Sequence, residues 1–156
     1  MKYCPLCKAD LHEVEVDGVQ RTACSASCGY VLWDNPTPVV AGIVEVDGRI
    51  VMAHNVSWPE DFYSVITGFL ERGEDPAEAM IRETKEELNL DTISQSLVGV
   101  YGFDYMNQVI IAYHVIAEGE IKLNEELDDY RLMAREDIKP WDMGTGLALK
   151  DFLGVS

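Results

Sequence analysis

Apolar and polar positions change their pattern near residue 34, and this change predicts two structural parts. Before it, strand-like stretches at residues 11–16 and 19–23 flank the dipeptide Asp17-Gly18, which is typical of a hairpin turn. Residues 33–38 contain two prolines and are predicted to be a linker. Beyond the linker, several apolar runs surround one long amphipathic stretch, so the second part is predicted to be a mixed α/β domain.

The second part is predicted to contain five strands and two helices. Strands are predicted at residues 39–46, 49–53, 62–66, 97–103 and 108–117, and helices at residues 76–88 and roughly 144–153. Asp47-Gly48 predicts a hairpin between the first two strands, and the last two are joined around Met106-Asn107. The expected architecture is a mixed sheet covered by helices on both faces.

The first predicted helix carries the most informative polar pattern. Asp75 is a favourable N-cap, and Pro76 suits the first helical position. At about 100° per residue, Glu83, Glu86 and Glu87 share an arc beside the apolar one. Like charges at this spacing repel, so the pattern predicts either a solvated acidic face or a bound divalent cation. An isolated E-x-x-E-E favours the solvated face. Only the surrounding sequence can favour the bound cation instead.

That surrounding sequence resembles the Nudix box, G-x5-E-x7-R-E-U-x-E-E-x-G-U, in which U is an aliphatic or similar residue. The match begins at Gly68 and ends at Leu90. It retains every charged position of the box, namely Glu74, Arg82, Glu83, Glu86 and Glu87. Thr84 stands at an aliphatic position. Asn89 replaces the final glycine, where a left-handed helix cap is expected and asparagine is well tolerated.

The resemblance implies a Nudix fold, a mixed β-sheet sandwiched between helices, and hydrolysis of a diphosphate with Mg²⁺ or Mn²⁺ as cofactor. It makes Glu86 and Glu87 metal ligands, and Glu83 a ligand or the catalytic base. It makes Glu74 a supporting carboxylate and gives Arg82 the role of orienting Glu83. Such cations would screen the diphosphate and lower the pKa of the attacking water.

Two more metal ligands are expected outside the charged positions of the box. One is the backbone carbonyl of Thr67, just before the first glycine. The other is a carboxylate from residues 118–137, which hold eight acidic and three basic residues. Glu126, with Glu125 as the alternative, lies a few positions before Arg131, as in the region where relatives carry such a residue. The rest of this stretch is predicted to be solvated loop.

Substrate contacts are expected from three aromatic side chains near the end of one strand. Tyr101, Phe103 and Tyr105 alternate there, where a ring can stack on a base. The alternative is ordinary strand packing with one exposed face. His54 and His114 lie within strand patterns and are predicted to have packing roles.

All four cysteines lie in the first part. Cys4 and Cys7 are separated by two residues, and Cys24 and Cys28 by three. This pattern resembles the zinc ribbon that precedes the catalytic domain in some nucleotide pyrophosphatases, although two residues are usual in each knuckle. Residues 1–34 are therefore expected to be a ribbon held by structural Zn²⁺, and residues 35–156 the Nudix hydrolase domain. The alternative is four unrelated reduced cysteines.

Composition restricts the partners. The 156 residues include 28 acidic and 12 basic side chains, a formal charge of −16, which disfavours binding to nucleic acids or to anionic membranes. The first residues have no apolar signal-peptide core and no stretch reaches the length of a membrane span, so a cytoplasmic location is expected. A homodimer is implied by the family resemblance alone.

The expected activity is hydrolysis of a nucleoside diphosphate linked to another moiety, such as ADP-ribose, FAD or NADH, to a nucleoside monophosphate and a phosphorylated remainder. The layout resembles NADH, ADP-ribose and FAD pyrophosphatases, but the S-Q-P-W-P-F-P-x-S signature that follows the box in NADH pyrophosphatases is absent. One alternative is a nucleotide sensor or binding module that contacts a partner through the ribbon. Another is a pyrophosphohydrolase that removes damaged nucleoside triphosphates.

Overall fold

A computed structural model describes residues 1–155, and these form two compact units that divide after Asn35. The first unit is a three-stranded antiparallel sheet with the order β1-β2-β3. Its strands are β1 (Leu11–Val16), β2 (Val19–Cys24) and β3 (Val31–Leu32). Asp17 and Gly18 both have positive φ, 51° and 78°, which is the backbone of a tight two-residue hairpin, and the predicted hairpin is confirmed.

The second unit contains one mixed sheet and two α-helices. Its elements are β4 (Thr37–Val46), β5 (Arg49–Asn55), β6 (Ile66–Phe69), α1 (Pro76–Leu88), β7 (Asp91–Phe103), β8 (Gln108–Glu118), β9 (Leu127–Met133) and α2 (Thr145–Leu153). The sheet order is β7-β8-β4-β5-β9, and β6 pairs with β4. The pairing of β4 with β8 is parallel, whereas the other neighbours are antiparallel. The predicted mixed sheet is therefore confirmed.

Strand β4 is buried on both sides because the sheet is covered on both faces. Val40 and Val44 point to the face covered by α1, together with Met80. Ala41 and Ile43 point to the opposite face, together with Leu149 of α2. A central strand of this kind appears in the sequence as a continuous apolar run, which is why residues 39–46 could be identified as a strand.

Helix α1 begins and ends as its sequence predicts. The Asp75 carboxylate accepts a hydrogen bond from the Ala77 N–H at 2.8 Å, which is N-capping. Asn89 has φ 59° and ψ 19°, and its N–H donates to the Lys85 carbonyl at 2.9 Å. The expected left-handed cap is thus confirmed. The buried Thr84 hydroxyl donates to the Met80 carbonyl at 2.8 Å, so its polar atom is satisfied within the helix.

The strand predicted at residues 62–66 is wrong in position. The strand observed is β6, which starts at Ile66 and pairs with β4 from Gly42 to Val39. Residues 62–65 make only one isolated bridge, between Ser64 and Ala53. The apolar side chains that suggested a strand there have other contacts, described below.

Three other predictions are also wrong, namely one loop and two strand boundaries. The stretch 118–137 contains strand β9, which pairs with β5 at the edge of the sheet; most of its side chains are exposed, so it lacks the apolar alternation that marks a strand. Strand β4 begins at Thr37, inside the predicted linker, and β7 begins at Asp91 rather than residue 97.

Within residues 1–155, no helix is long and apolar enough to cross a membrane.

Candidate active site

A cavity of about 730 Å³ lies in the second unit, where β6 and α1 meet the loop after β5, the turn after β7 and the loop before α2. Four carboxylate side chains line it: Glu71, Glu83, Glu87 and Glu126. Three of them were expected from the sequence, while Glu71 was missed because it occupies a variable position of the box. The same cavity is lined by Thr67, the residue whose carbonyl was expected to be a ligand.

Arg82 ties the carboxylates of the loop and the helix together. Its Nε and Nη2 donate to the two carboxylate oxygens of Glu74 at 2.8 and 3.0 Å. Its Nη1 donates to Glu83 at 2.7 Å and to Glu86 at 3.0 Å, and Nη2 also donates to the Phe69 carbonyl at 3.1 Å. The planar fork of an arginine can make this set of contacts, and lysine cannot.

Gly68 is required by close approach to Glu83. A Cβ placed on Gly68 would lie 2.0 Å from the carboxyl carbon of Glu83, so no other residue fits without moving that carboxylate. Gly73 has a different role, because its φ of 83° lies in the left-handed region and its surroundings are open. Gly68 is therefore required because there is no room for a side chain, and Gly73 because of its backbone conformation.

Electrostatics differ sharply among these carboxylates. Burial and the neighbouring charges of Glu83, Glu126 and Glu86 raise the pKa of Glu87 to about 8. Burial also raises the pKa of Glu83, against the lowering effect of Arg82. Hydrogen bonds from Arg82 and from the Glu71 N–H lower the pKa of Glu74 to about 2. Glu83 and Glu87 thus stand at the cavity as buried acids with excess negative charge around them.

Glu86 and Glu126 lie in less buried positions. The Glu86 side chain is bound by Arg82, is largely exposed and does not line the cavity. Glu126 lines the cavity and its charge raises the pKa of both Glu83 and Glu87, whereas Glu125 is exposed and not part of the lining. Of the two alternatives considered from the sequence, Glu126 is the one that the fold brings to the other carboxylates.

Contacts between β5 and the start of β9 hold the segment that carries Glu126. The Val56 N–H donates to the Glu126 carbonyl at 3.0 Å, and the Glu126 N–H donates to the Asn124 side chain at 3.0 Å. The buried His54 ring contacts Asp128 through Nδ1 at 2.5 Å and lies 3.1 Å from the Pro59 carbonyl through Nε2. His54 therefore has the structural role expected of it, at the loop that borders the cavity.

Of the three aromatic residues expected to contact substrate, two line the cavity and one does not. Phe103 and Tyr105 line the cavity, with ring centroids 6.3 Å apart. Tyr101 does not line it: its ring joins the core under α2, and its hydroxyl donates to Asp151 at 2.7 Å. Tyr101 and Phe103 both pack against the core on the α2 side of the sheet, but only Phe103, at the end of β7, also lines the cavity.

Aromatic residues that the sequence did not single out also line the cavity: Trp58, Phe62, Phe69 and Trp141. They come from the loop after β5, from the end of β6 and from the loop before α2. No periodic pattern marks such loop residues, and only their meeting in space reveals them. Among residues 1–155, the lining includes no lysine, arginine or histidine.

The donor sets fit the cations that the family implies. Carboxylate and carbonyl oxygens are the ligands that Mg²⁺ and Mn²⁺ prefer, and Glu83, Glu87 and Glu126 offer them beside Thr67 at one cavity. Burial, and then repulsion from the neighbouring carboxylates, raise the pKa of Glu87, and a divalent cation would relieve that repulsion.

In the first unit, the sulfur atoms of Cys4, Cys7, Cys24 and Cys28 all lie within 4.8 Å of one another, and none of them is in a disulfide. Tetrahedral zinc with Zn–S bonds near 2.3 Å separates its sulfurs by roughly 3.8 Å, so this set fits Zn²⁺. The longer second knuckle converges because Ser27, with φ 55°, and Gly29, with φ 88°, turn its backbone.

Comparisons with known proteins agree with this layout. The family model described as the NUDIX domain matches residues 35–151. The NAD-capped RNA hydrolase NudC of Pseudomonas putida (strain W619) is 22% identical over 149 residues, which are 94% of this chain and 53% of that protein. NudC of Pseudomonas aeruginosa (strain LESB58) is 21% identical over 123 residues, 78% of this chain and 44% of that protein. The chain thus spans about half the length of these curated relatives.

Two solved structures show the same fold. The NUDIX hydrolase of Nitrosomonas europaea superposes with a TM-score of 0.77 at 23% identity, covering 88% of this chain and 80% of that one. The ADP-ribose pyrophosphatase of Streptococcus suis 89-1591 superposes with a TM-score of 0.63 at 17% identity, covering 77% of this chain and 91% of that one. With its box on α1, its mixed sheet and a family match over most of its length, the chain belongs to the NUDIX domain family.

Proposed function

We propose that this chain is a hydrolase that needs a divalent cation and cleaves the diphosphate bond of a nucleoside diphosphate linked to another moiety. The products are a nucleoside monophosphate and the phosphorylated remainder. The observation that carries this proposal is the set of carboxylates Glu83, Glu87 and Glu126 around one cavity, with Arg82 holding Glu83 in place. A binding module of this fold would be expected to have lost box carboxylates, and here Glu83, Glu86 and Glu87 are all retained.

Each residue has a role in this proposal. Glu83, Glu86, Glu87, Glu126 and the Thr67 carbonyl hold Mg²⁺ or Mn²⁺. When bound, the cation supplies charge stabilisation for the diphosphate and a nucleophilic water at neutral pH. Glu83 is the proposed base for the attacking water, and Arg82, which donates a hydrogen bond to its carboxylate at 2.7 Å, would fix its orientation. Glu74 holds Arg82 through two hydrogen bonds.

The substrate is proposed to be a small molecule. The names of the relatives mention NAD-capped RNA and ADP-ribose, and both contain a diphosphate bond attached to adenosine. The formal charge of −16 disfavours a long polyanion, because RNA binding depends on basic side chains that neutralise phosphates. ADP-ribose, FAD and NADH are therefore the expected substrates.

The first unit is proposed to be a structural zinc ribbon, residues 1–34, attached to a hydrolase domain formed by residues 35–156. The four converging thiols support this proposal. With only three short strands, the unit has too small a core to fold well without a metal.

The test is a substrate screen with identified products. ADP-ribose, NADH, FAD, diadenosine polyphosphates and nucleoside triphosphates are incubated with Mg²⁺ or Mn²⁺, and the products are separated. Release of AMP from the diphosphate-linked compounds supports the proposal. Release of pyrophosphate from triphosphates alone would point to a housecleaning enzyme, and binding without turnover would point to a sensor.

Substitutions on one helix provide the matched control. Glu87→Gln and Glu86→Gln are expected to abolish turnover while the protein stays folded. Glu78→Gln, at an exposed position in the first turn of the same helix, should leave turnover unchanged. Turnover near the wild-type rate in Glu87→Gln would contradict the roles given to these carboxylates.

A further inference from the structure

A β-bulge interrupts the pairing of β5 with β9 at the edge of the cavity. The register of the two strands is regular as far as the pair His54 and Asp129, and Asn55 then pairs with Leu127. Asp128 is left between these two pairs and is therefore the extra residue of the bulge. Because side chains alternate along a strand, one extra residue reverses the face to which the chain beyond it points.

The bulge decides which way the segment with Glu126 faces. Tyr130 pairs with Ala53, which packs in the core on the face covered by α1. Leu127 comes three residues before Tyr130, so strict alternation would turn it to the opposite face, yet it packs in the same core as Ala53. The bulge thus brings this segment, and Glu126 with it, to the side of the sheet where α1 and its carboxylates lie.

The His54 ring connects the bulge to the loop after β5. Its Nδ1 lies 2.5 Å from Asp128 Oδ1, and its Nε2 lies 3.1 Å from the Pro59 carbonyl oxygen. A carboxylate and a carbonyl can only accept hydrogen bonds, so both ring nitrogens donate and the buried ring is an imidazolium. In agreement, the hydrogen bond to Asp128 raises the pKa of His54. One charge-assisted bond fixes the bulge and the other fixes the loop.

Asp129, the next residue of β9, has different partners. Its carboxylate accepts a hydrogen bond from the Tyr63 hydroxyl, and the Arg131 guanidinium lies 3.8 Å from the centre of the Tyr63 ring. These contacts belong to the regular part of β9, beyond the bulge. Asp128 and Asp129 therefore carry the same charge at adjacent positions, but the bond that fixes the bulge is made by Asp128.

We propose that His54 is a positioning residue for the reaction. By fixing the bulge at Asp128, it places the Glu126 carboxylate beside the carboxylates of α1, where they can share a cation. The inference rests on the proposed function for the role of Glu126 as a metal ligand. Within residues 1–155 no histidine lines the cavity, so His54 acts only through the segment that it holds.

Mn²⁺ affinity tests this in Asp128→Ala, by calorimetric titration of the full chain without substrate. Loss of the bond that orients the Glu126 segment is expected to weaken Mn²⁺ binding by roughly 10- to 100-fold, as for other residues that orient metal ligands. The Val56 N–H, which donates to the Glu126 carbonyl, should exchange its hydrogen faster in the same variant. His54→Gln should give both changes. If that buried substitution prevents folding, Asp128→Ala still decides, because its side chain is half exposed.

Two controls separate position from charge, because any carboxylate near the cavity attracts a cation. Asp129→Ala removes the same charge one residue away and should leave Mn²⁺ affinity nearly unchanged. Asp128→Asn removes the charge but keeps an acceptor for the Nδ1–H of His54, so it should retain most of the affinity. Losses as large as that of Asp128→Ala in either control would assign the effect to charge and overturn the inference.

A double-mutant cycle shows whether Asp128 acts through Glu126. Glu126→Ala should lower Mn²⁺ affinity by itself, and adding Asp128→Ala should then cause no further loss. Additive losses would overturn the inference, and so would wild-type affinity together with wild-type Val56 exchange in Asp128→Ala. Both results leave the proposed function intact.

Failure of the proposed function gives a different result. Wild-type Mn²⁺ affinity in Glu126→Ala would remove Glu126 from the proposed ligands, and the inference would fall with it. If the cycle behaves as expected but the wild type hydrolyses none of the substrates in the screen, the proposed function fails and the positioning of Glu126 by His54 stands.

Discussion

The four thiols of the first unit and the carboxylates around the cavity are both candidate cation sites, but different forces assemble them. The thiols converge within 4.8 Å through backbone turns at Ser27 and Gly29, in a unit with few buried side chains. The carboxylates are positioned by a helix and sheet with their own apolar core, and Arg82 links one of them, Glu83, to Glu74 and Glu86 beside the cavity.

The difference shows what each cation has to do. A cation held by the four thiols would supply stability that the sequence around it lacks, because folding and metal binding are coupled in so small a unit. A cation at the cavity finds ligands already placed, so it is needed for chemistry and not for folding. Metal removal should therefore unfold the first unit. In the second unit it should abolish activity without unfolding the chain.

Removal of the zinc proposed for the first unit should have the largest effect. Cys7→Ser, or treatment with a strong chelator, is expected to remove about 10 kcal/mol or more of metal-binding free energy and to unfold the first unit. Hydrogen exchange should show residues 1–35 losing protection while β4 to α2 keep theirs. Protection of the first unit after metal removal would show that its sheet is stable alone.

Replacement of Arg82 by lysine should have the next largest effect, on activity rather than fold. Lysine cannot bridge Glu74, Glu83 and Glu86 at once, so the carboxylates lose their common orientation. We expect turnover and Mn²⁺ affinity to fall by roughly 10- to 100-fold, as for residues that orient metal ligands. Calorimetric titration of Mn²⁺ and steady-state kinetics measure the two effects separately. Unchanged Mn²⁺ affinity would contradict this role of Arg82.

Gly68→Ala tests close approach at the cavity. The new methyl group would overlap the Glu83 carboxyl, so that side chain has to move. Activity should fall by about tenfold or more, since small displacements of catalytic groups are expensive. Gly102→Ala, on β7 of the same sheet, is the matched control, because its Cβ would meet nothing closer than 4.0 Å. Equal losses in the two variants would indicate a general effect on strands.

Acid should have a smaller effect, and the pH at which it acts should differ between the two units. Arg82 lowers the pKa of Glu74 from 4.5 to about 2, so the stability from this pair is complete above pH 4.5 and is lost only as the pH falls toward 2. Thiols must lose their protons to bind zinc as thiolates, so acid should release the proposed zinc from the first unit at a higher pH than it protonates Glu74. Zinc release measured with a chromogenic chelator, and Glu74 titration by NMR, give the two midpoints. Zinc release at a lower pH than Glu74 protonation would contradict the expected difference between the two units.

Sequence predicted those features of the site that depend on local spacing. The arc of Glu83, Glu86 and Glu87 and the caps at Asp75 and Asn89 follow from helical periodicity and neighbouring residues. Trp58 and Trp141 could not be found in this way, because they meet through Phe62 across more than 80 residues of chain. Tyr101 was grouped with Phe103 by alternation, but the helix that covers one face of β7 decides where its ring lies.

The absence of cationic side chains from the cavity lining of residues 1–155 has a consequence for the rate of substrate capture. Many enzymes of anionic substrates attract them, and added salt slows the encounter. Here the chain carries a charge of −16, so an anionic substrate is repelled as it approaches. Added salt, which reduces the screening length to about 10 Å at 0.1 M, should therefore speed association. Stopped-flow measurements at constant free Mg²⁺ would show an association rate that rises with ionic strength.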